Sequence, residues 1–247
     1  MLGFQDPICA VVIGGNGGVG REFVHQLEAA EQVTHIVATH RNPIPNDHQH
    51  PKVTWVQVDV RKEETIEALA SHLKDAGLKP NLIINCIGIL HTSDFGPERT
   101  WRHLNANTMQ DVFAINAFAV ALLGKHLISL MPREGRTIFA SLSARVGSIA
   151  DNRLGGWYSY RASKTAHNMF VKTLSLEARR KYPELAIVSL HPGTVDTALS
   201  EPFTARYDPN KLFTATRSVN ELSNVISKLT AKNTGGFFAW DGQAIPF

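Results

Sequence analysis

Seven short runs of aliphatic and β-branched residues recur along this chain, and stretches with helical spacing separate most of them. The runs are ICAVVI, VTHIVAT, VTWVQVDV, NLIINCIGI, RTIFASLS, LAIVSLHPG and GFFAW. Most are apolar at successive rather than alternate positions, the pattern of strands buried on both faces of a parallel sheet. The stretches between them can cover such a sheet. Residues 21–30 put Phe23, Val24 and Leu27 at helical spacing, and 62–77 read as a polar-faced helix closed by Gly77. Further helical patterns occupy 109–130, 161–182 and 218–229. Between the second and third runs, RNPIPNDHQHP holds three prolines, which predicts a loop in place of a helix. The alternation predicts an α/β fold, a single domain over 1–247 built on a doubly wound parallel sheet of about seven strands with helices on both faces. A chain of 247 residues can bury one such core, and nothing resembling a linker divides it.

Charge and cysteine content narrow the function classes. The formal charge of +3 comes from scattered Lys and Arg, without the concentrated basic face that nucleic-acid binding needs. Cys9 and Cys86 both lie inside apolar runs, which fits two buried thiols in a reducing compartment better than a disulfide. The first apolar run is too short to span a bilayer and has no basic segment before it. The expectation is a cytoplasmic protein with no membrane or nucleic-acid partner.

Between the first strand and the first helix lies GGNGGVG, with Gly14, Asn16, Gly17, Gly18, Val19 and Gly20 as candidate phosphate-binding positions. Glycines there allow positive φ and close backbone approach, and the helix N-terminus supplies N–H groups and partial positive charge. Gly15, Gly17 and Gly20 fit G-x-G-x-x-G, while Gly14, Gly18 and Gly20 fit G-x-x-x-G-x-G. Either spacing, in this setting, predicts a dinucleotide site of the Rossmann kind. Dinucleotide sites selective for NAD place an acid at the end of the second strand. This chain has THIVATHRN there, with no acid and with Arg41 available for a 2′-phosphate, so NADP(H) is expected over NAD(H).

In YSYRASK, Tyr160 and Lys164 are four residues apart and share a helix face, whereas Tyr158 has Ala162 at that spacing. Tyr207 and Lys211 have the same separation, but Pro209 between them breaks any helix they could share. The glycine loop, DV after the third strand, NCIG after the fourth, INAF, SLSARVGSI, YSYRASK and HPGTVDT come in a distinctive order. The set resembles the short-chain dehydrogenase/reductase family over nearly the whole chain, in wording closest to C-signal proteins and small carbonyl reductases. The resemblance implies hydride transfer between a nicotinamide and a carbonyl or alcohol substrate. It makes Tyr160 the proton donor, with a pKa lowered by Lys164, which would also hold the nicotinamide ribose. Ser143 would bond the substrate oxygen, with Ser141 as the alternative serine, and Asn116 would position a water linking Lys164 to solvent. For the cofactor it implies Asp59 and Val60 at the adenine, and Asn85 and Gly88 beside the fourth strand. Pro192, Gly193, Val195 and Thr197 would line the nicotinamide amide and pyrophosphate. NCIG departs from the usual Asn-Asn-Ala-Gly.

No metal site is expected, since the eleven histidines fall in no H-E-x-x-H or Cys/His ligand spacing. The loop over about 198–213 is expected to cover the substrate, with Phe203 and Phe213 as apolar contacts and Trp157, Leu90 and His91 from other loops. A homodimer or homotetramer is what the resemblance implies. The alternative reading is an NADP-binding regulatory or signalling protein with little turnover, for which the loop alone would suffice.

Overall fold

The computed structural model describes residues 2–42, 49–204, 208 and 211–247. Its strands are β1 (Ile8–Ile13), β2 (Val33–His40), β3 (Val53–Gln57), β4 (Leu82–Asn85), β5 (Thr137–Leu142), β6 (Leu185–His191), β7 (Thr194–Val195), β8 (Leu212–Phe213) and β9 (Phe237–Ala239). Seven of them form one parallel sheet in the order β3-β2-β1-β4-β5-β6-β9, and β7 with β8 makes a separate parallel pair. The helices are α1 (Gly18–Ala29), α2 (Glu63–Asp75), α3 (Ala106–Phe113), α4 (Ala119–Leu127), α5 (Tyr158–Ala178), α6 (Glu201–Thr204) and α7 (Ala215–Lys228).

Alternate side chains of each strand go to opposite faces. Ala10 and Val12 of β1, with Ile84, Ala140 and Val188, pack under Phe23, Val24 and Leu27 of α1 and Val219, Leu222 and Ile226 of α7. Val11 and Ile13, with Ile83, Phe139 and Ile187, pack under Ile66, Leu69 and Leu73 of α2, Val120 and Leu123 of α4 and Val171 of α5. The continuously apolar runs thus serve two cores at once. The segment Ala106–Leu130 is long and apolar enough to cross a membrane, with mean hydropathy 1.7. Its Ala119, Val120, Leu123 and Leu127 are instead fully buried in the second core.

The predicted helix over 109–130 begins earlier and is not uniform. A π turn, Ala114–Phe118, joins α3 to α4 and contains Asn116. Such turns insert an extra residue and recur at functional sites. The third strand is shorter than predicted, and the pair β7–β8 is too short to leave a sequence signature. The order reverses at β1, between β2 and β4, and ligands of doubly wound sheets bind in the crevice at such a point.

Candidate active site

The glycine loop leaves β1 at Gly14, whose φ of +78° suits glycine. Thr39, at the end of β2, holds the loop in place. Its hydroxyl accepts from Gly14 N at 2.9 Å and its carbonyl from Gly15 N at 2.8 Å. The N-cap of α1 is Gly17, which supplies no side-chain cap, so the first N–H groups of this 12-residue helix stay free for an anion. A Cβ on Gly18 would lie 2.5 Å from Thr197 Cγ2, and one on Gly20 would strike the Gly14 carbonyl. The loop is therefore packed so that only backbone lines the cradle. These features fit the pyrophosphate of a dinucleotide.

Beside the cradle opens a cavity of about 900 Å3. Gly17, Gly18, Val19 and Gly20 form one wall, and Pro192, Gly193, Val195 and Thr197 another. Gly88, Ser143, Tyr160 and Lys164 reach it from the sheet and α5. Gly14, Asn16, Arg41, Asp59, Val60 and Asn85 are not part of its lining. Val60 is buried in the second core. Asn85 donates to Ser141 Oγ at 2.9 Å and accepts from Ile87 N, tying the ends of β4 and β5 together. Asp59 is paired with Arg61 at 2.6 Å, which holds its carboxyl below the usual carboxylate range. Arg41 is exposed at the end of β2 with its carbonyl bonded to Gln57.

The two candidate serines separate cleanly. Ser141 is fully buried within β5 as the acceptor of Asn85. Ser143, one residue past the strand, lines the cavity, and its hydroxyl has no hydrogen-bond partner. A buried polar atom without a partner carries a desolvation cost that a ligand contact would relieve. Ser143→Ala is therefore expected to change stability by less than ~1 kcal/mol while lowering kcat by about 10²-fold, as loss of an oxyanion donor does. Urea denaturation and steady-state kinetics measure the two effects separately.

Asn116 does not line the cavity. Its side chain accepts from Ile89 N at 2.7 Å and donates to the Ile89 carbonyl at 2.8 Å and to Ser163 Oγ at 3.1 Å. It fixes the turn after β4 to α5, so that a Cβ on Gly88 would lie 3.4 Å from Lys164 Nζ and 3.6 Å from Asn116 Oδ1. The Asn116 carbonyl faces His167, with Nδ1 3.0 Å away.

The expected depression of the Tyr160 phenol by Lys164 is not met in this geometry. Burial pushes Tyr160 up to about 12 and Lys164 down to about 8. Lys164 Nζ instead donates to the Leu142 carbonyl at 2.9 Å. Desolvation outweighs a neighbouring charge when both groups leave water and the ammonium is directed elsewhere. Tyr158 is 37% exposed at the start of α5 and lies outside the lining.

Phe203, Phe213, Trp157 and Leu90 line the cavity as the sequence suggested. His91 does not, but it bonds the Ala198 carbonyl at 2.9 Å and meets Phe203 edge-on at 5.6 Å. Residues 205–207 and 209–210 of the expected covering loop, and with them the Tyr207–Lys211 comparison, lie outside the described residues. Trp240 and Arg217, which stacks 3.8 Å over Phe213, were not anticipated and line the cavity from the C-terminal third of the chain.

His167 is buried and His191 half-buried at the cavity, and both are held neutral. Burial, then the Lys164 charge, brings His167 down to about 3, and burial with Arg145 nearby brings His191 down to about 4. Both have folded pKa values below the unfolded 6.5, so their stabilising effect is complete above pH 6.5 and is lost as pH falls toward 4. Each adds up to ~1.4 kcal/mol per pH unit to the slope in that window. His167→Leu is expected to remove one proton from the slope, measured by urea denaturation at pH 7, 6 and 5.

The sequence profile of the family described as short chain dehydrogenase matches residues 8–208. The chain belongs to the short-chain dehydrogenase family. Among curated relatives, 1-hydroxy-2-glutathionyl-2-methyl-3-butene dehydrogenase of Rhodococcus sp. strain AD45 is 30% identical over 188 residues, covering 75% of this chain and 76% of that one. The C-signal protein of Myxococcus xanthus is 32% identical over 140 residues, 56% of this chain and 78% of that one. The crystal structure of NADPH-bound carbonyl reductase from chicken fatty liver superposes with a TM-score of 0.86 at 26% identity, covering 99% of this chain and 96% of that one. This short-chain dehydrogenase is thus an oxidoreductase with carbonyl reductases among its structural neighbours.

Proposed function

We propose that the protein is an NADPH-dependent reductase of carbonyl compounds. The observation that carries this reading is the convergence of the unpartnered Ser143 hydroxyl, Tyr160 and Lys164 on one cavity beside the glycine cradle. The nicotinamide would supply a hydride to the carbonyl carbon, leaving negative charge on the carbonyl oxygen. Ser143 donates a hydrogen bond to that oxygen, and Tyr160 transfers its proton there. Lys164, one helical turn on along α5, would supply positive charge for the tyrosinate that remains once its Nζ leaves the Leu142 carbonyl. Asn116 keeps the β4 turn and α5 in register and thereby sets the Lys164 position. Trp157, Phe203 and Phe213 favour a substrate with an apolar or aromatic body.

Arg41, with no acid at the end of β2, supports NADPH over NADH. The test is oxidation of both cofactors by the purified protein against a panel of ketones, aldehydes and quinones. Turnover with NADPH is required. Arg41→Ala is expected to raise KM for NADPH about tenfold, the effect of losing one charge-assisted hydrogen bond, and to leave KM for NADH nearly unchanged. Equal use of both cofactors by the wild type would overturn the preference.

A further inference from the structure

The helix that carries Tyr160 and Lys164 begins in an unusual way. Gly155 and Gly156 both have φ of +65°, and Trp157, the N-cap of α5, follows at φ 53°, ψ 44°. Trp157 is the one non-glycine residue with positive φ among the described residues. A bulky residue holds that conformation only when its surroundings impose it, and such residues cluster at functional sites. Trp157 also provides no side-chain cap for the 21-residue helix.

The cap comes from a distant loop. Glu98, 4% exposed, accepts from Ser159 N at 3.1 Å through one carboxylate oxygen and from the Ser159 hydroxyl through the other. Its backbone carbonyl accepts from Trp157 N at 2.5 Å. A Cβ on Gly156 would lie 3.6 Å from the same Glu98 carbonyl, so the turn and the loop are in contact along their backbones. Three bonds from one residue thus grip the positions immediately before Tyr160. A carboxylate at a helix N-terminus is favourable on both hydrogen-bonding and dipole grounds. Burial of an acid is otherwise costly, so a carboxylate fully engaged here has a specific task.

We propose that Glu98 is a positioning residue for the reaction: its carboxylate holds the first turn of α5 so that the Tyr160 hydroxyl and the Trp157 ring face the cavity together. Trp157 meets Tyr160 edge-on at 6.1 Å and Phe203 at 5.4 Å, so the same clamp sets both the proton donor and the aromatic wall against which substrate lies. This proposal rests on the reading of Tyr160 as proton donor. Small misplacement of such a group is expensive, with about 10²-fold in rate for a shift near 1 Å.

The experiment compares Glu98→Ala, Glu98→Gln and Tyr160→Phe with the wild type. It reads kcat and KM for a ketone turned over with NADPH, NADPH affinity by fluorescence titration, and amide hydrogen exchange over residues 157–164. Glu98→Ala is expected to lower kcat about 10- to 100-fold, with NADPH affinity within about twofold and loss of protection confined to the first turn of α5. Glu98→Gln, whose amide oxygen still accepts from Ser159, is expected to recover most of the lost kcat. Wild-type kcat in Glu98→Ala, or first-turn protection identical to wild type, would overturn the clamp. Parallel loss of NADPH affinity and of protection throughout α5 in both Glu98 variants would reduce Glu98 to a general structural role and overturn it too. Full activity in Tyr160→Phe would sink the underlying reading independently, leaving the exchange measurement to judge the clamp alone.

Discussion

Tyr160→Phe is expected to lower kcat for ketone reduction by about 10²- to 10⁴-fold, the range over which general acid catalysis contributes. The change removes one oxygen from a side chain that is 9% exposed and leaves the ring in place. The hydroxyl makes no part of the helix scaffold, since Ser163 bonds the Tyr160 carbonyl and Glu98 holds Ser159. NADPH affinity and thermal stability are therefore expected to stay near wild type, the combination that separates a lost proton donor from a damaged fold. A signalling protein that only senses NADPH would keep its function in this variant. Turnover within twofold of wild type would exclude the proposed chemistry, whatever the cofactor preference.

The second large effect is expected at the glycine loop. In Gly20→Ala the new methyl would sit 2.9 Å from the carbonyl carbon of Gly14, with the carbonyl oxygen closer still. Backbone cannot rotate away as a side chain can, so β1 and α1 must separate. The expected result is a stability loss of about 1–3 kcal/mol, as for overpacking of a filled interior, and at least a tenfold weaker NADPH binding. Gly17→Ala is the control. Its Cβ meets only the Gly14 carbonyl, at an ordinary 3.5 Å, and its φ of −85° needs no glycine. Denaturation midpoints of the two variants should diverge sharply; matching values would mean that the loop yields more readily than its packing implies.

The parts of this molecule that announce themselves in the sequence are those governed by local periodicity. ICAVVI is buried on both faces because Ala10 and Val12 serve one core and Val11 and Ile13 the other, and continuous apolar character is the signature of that double duty. The spacing of Tyr160 and Lys164 was legible for the same reason, as one helical turn. What stayed hidden depends on long-range placement. Nothing near Glu98 in sequence says that it caps a helix 61 positions away, and its neighbours read as an ordinary polar loop. The direction of the Tyr160 shift was misread because a nearby lysine is visible in the sequence and the depth of burial is not. Trp240 and Arg217 reach the cavity only because β9 pairs with β6 at the edge of the sheet and α7 packs back on the first core. The choice between Ser141 and Ser143 also waited for the strand end, since one residue of register decides which hydroxyl is committed to the sheet.

The small β7–β8 pair has an architectural consequence. Thr194 lies beside Leu212 and Val195 beside Phe213, and Asp196 N bonds the Phe213 carbonyl at 2.8 Å. The chain that departs over the cavity therefore returns to its own point of departure, like the strap of a buckle sewn at both ends. Length added to such a strap raises the closure cost only by ~0.6 kcal/mol per doubling. The pair thereby insulates the cavity wall at Pro192–Val195 from changes in the segment that follows it. If the protein is the reductase proposed above, exchanging the cavity-lining residues Ala198, Leu199, Ser200, Phe203 and Thr204 is expected to change substrate range while leaving the β7–β8 pair in place.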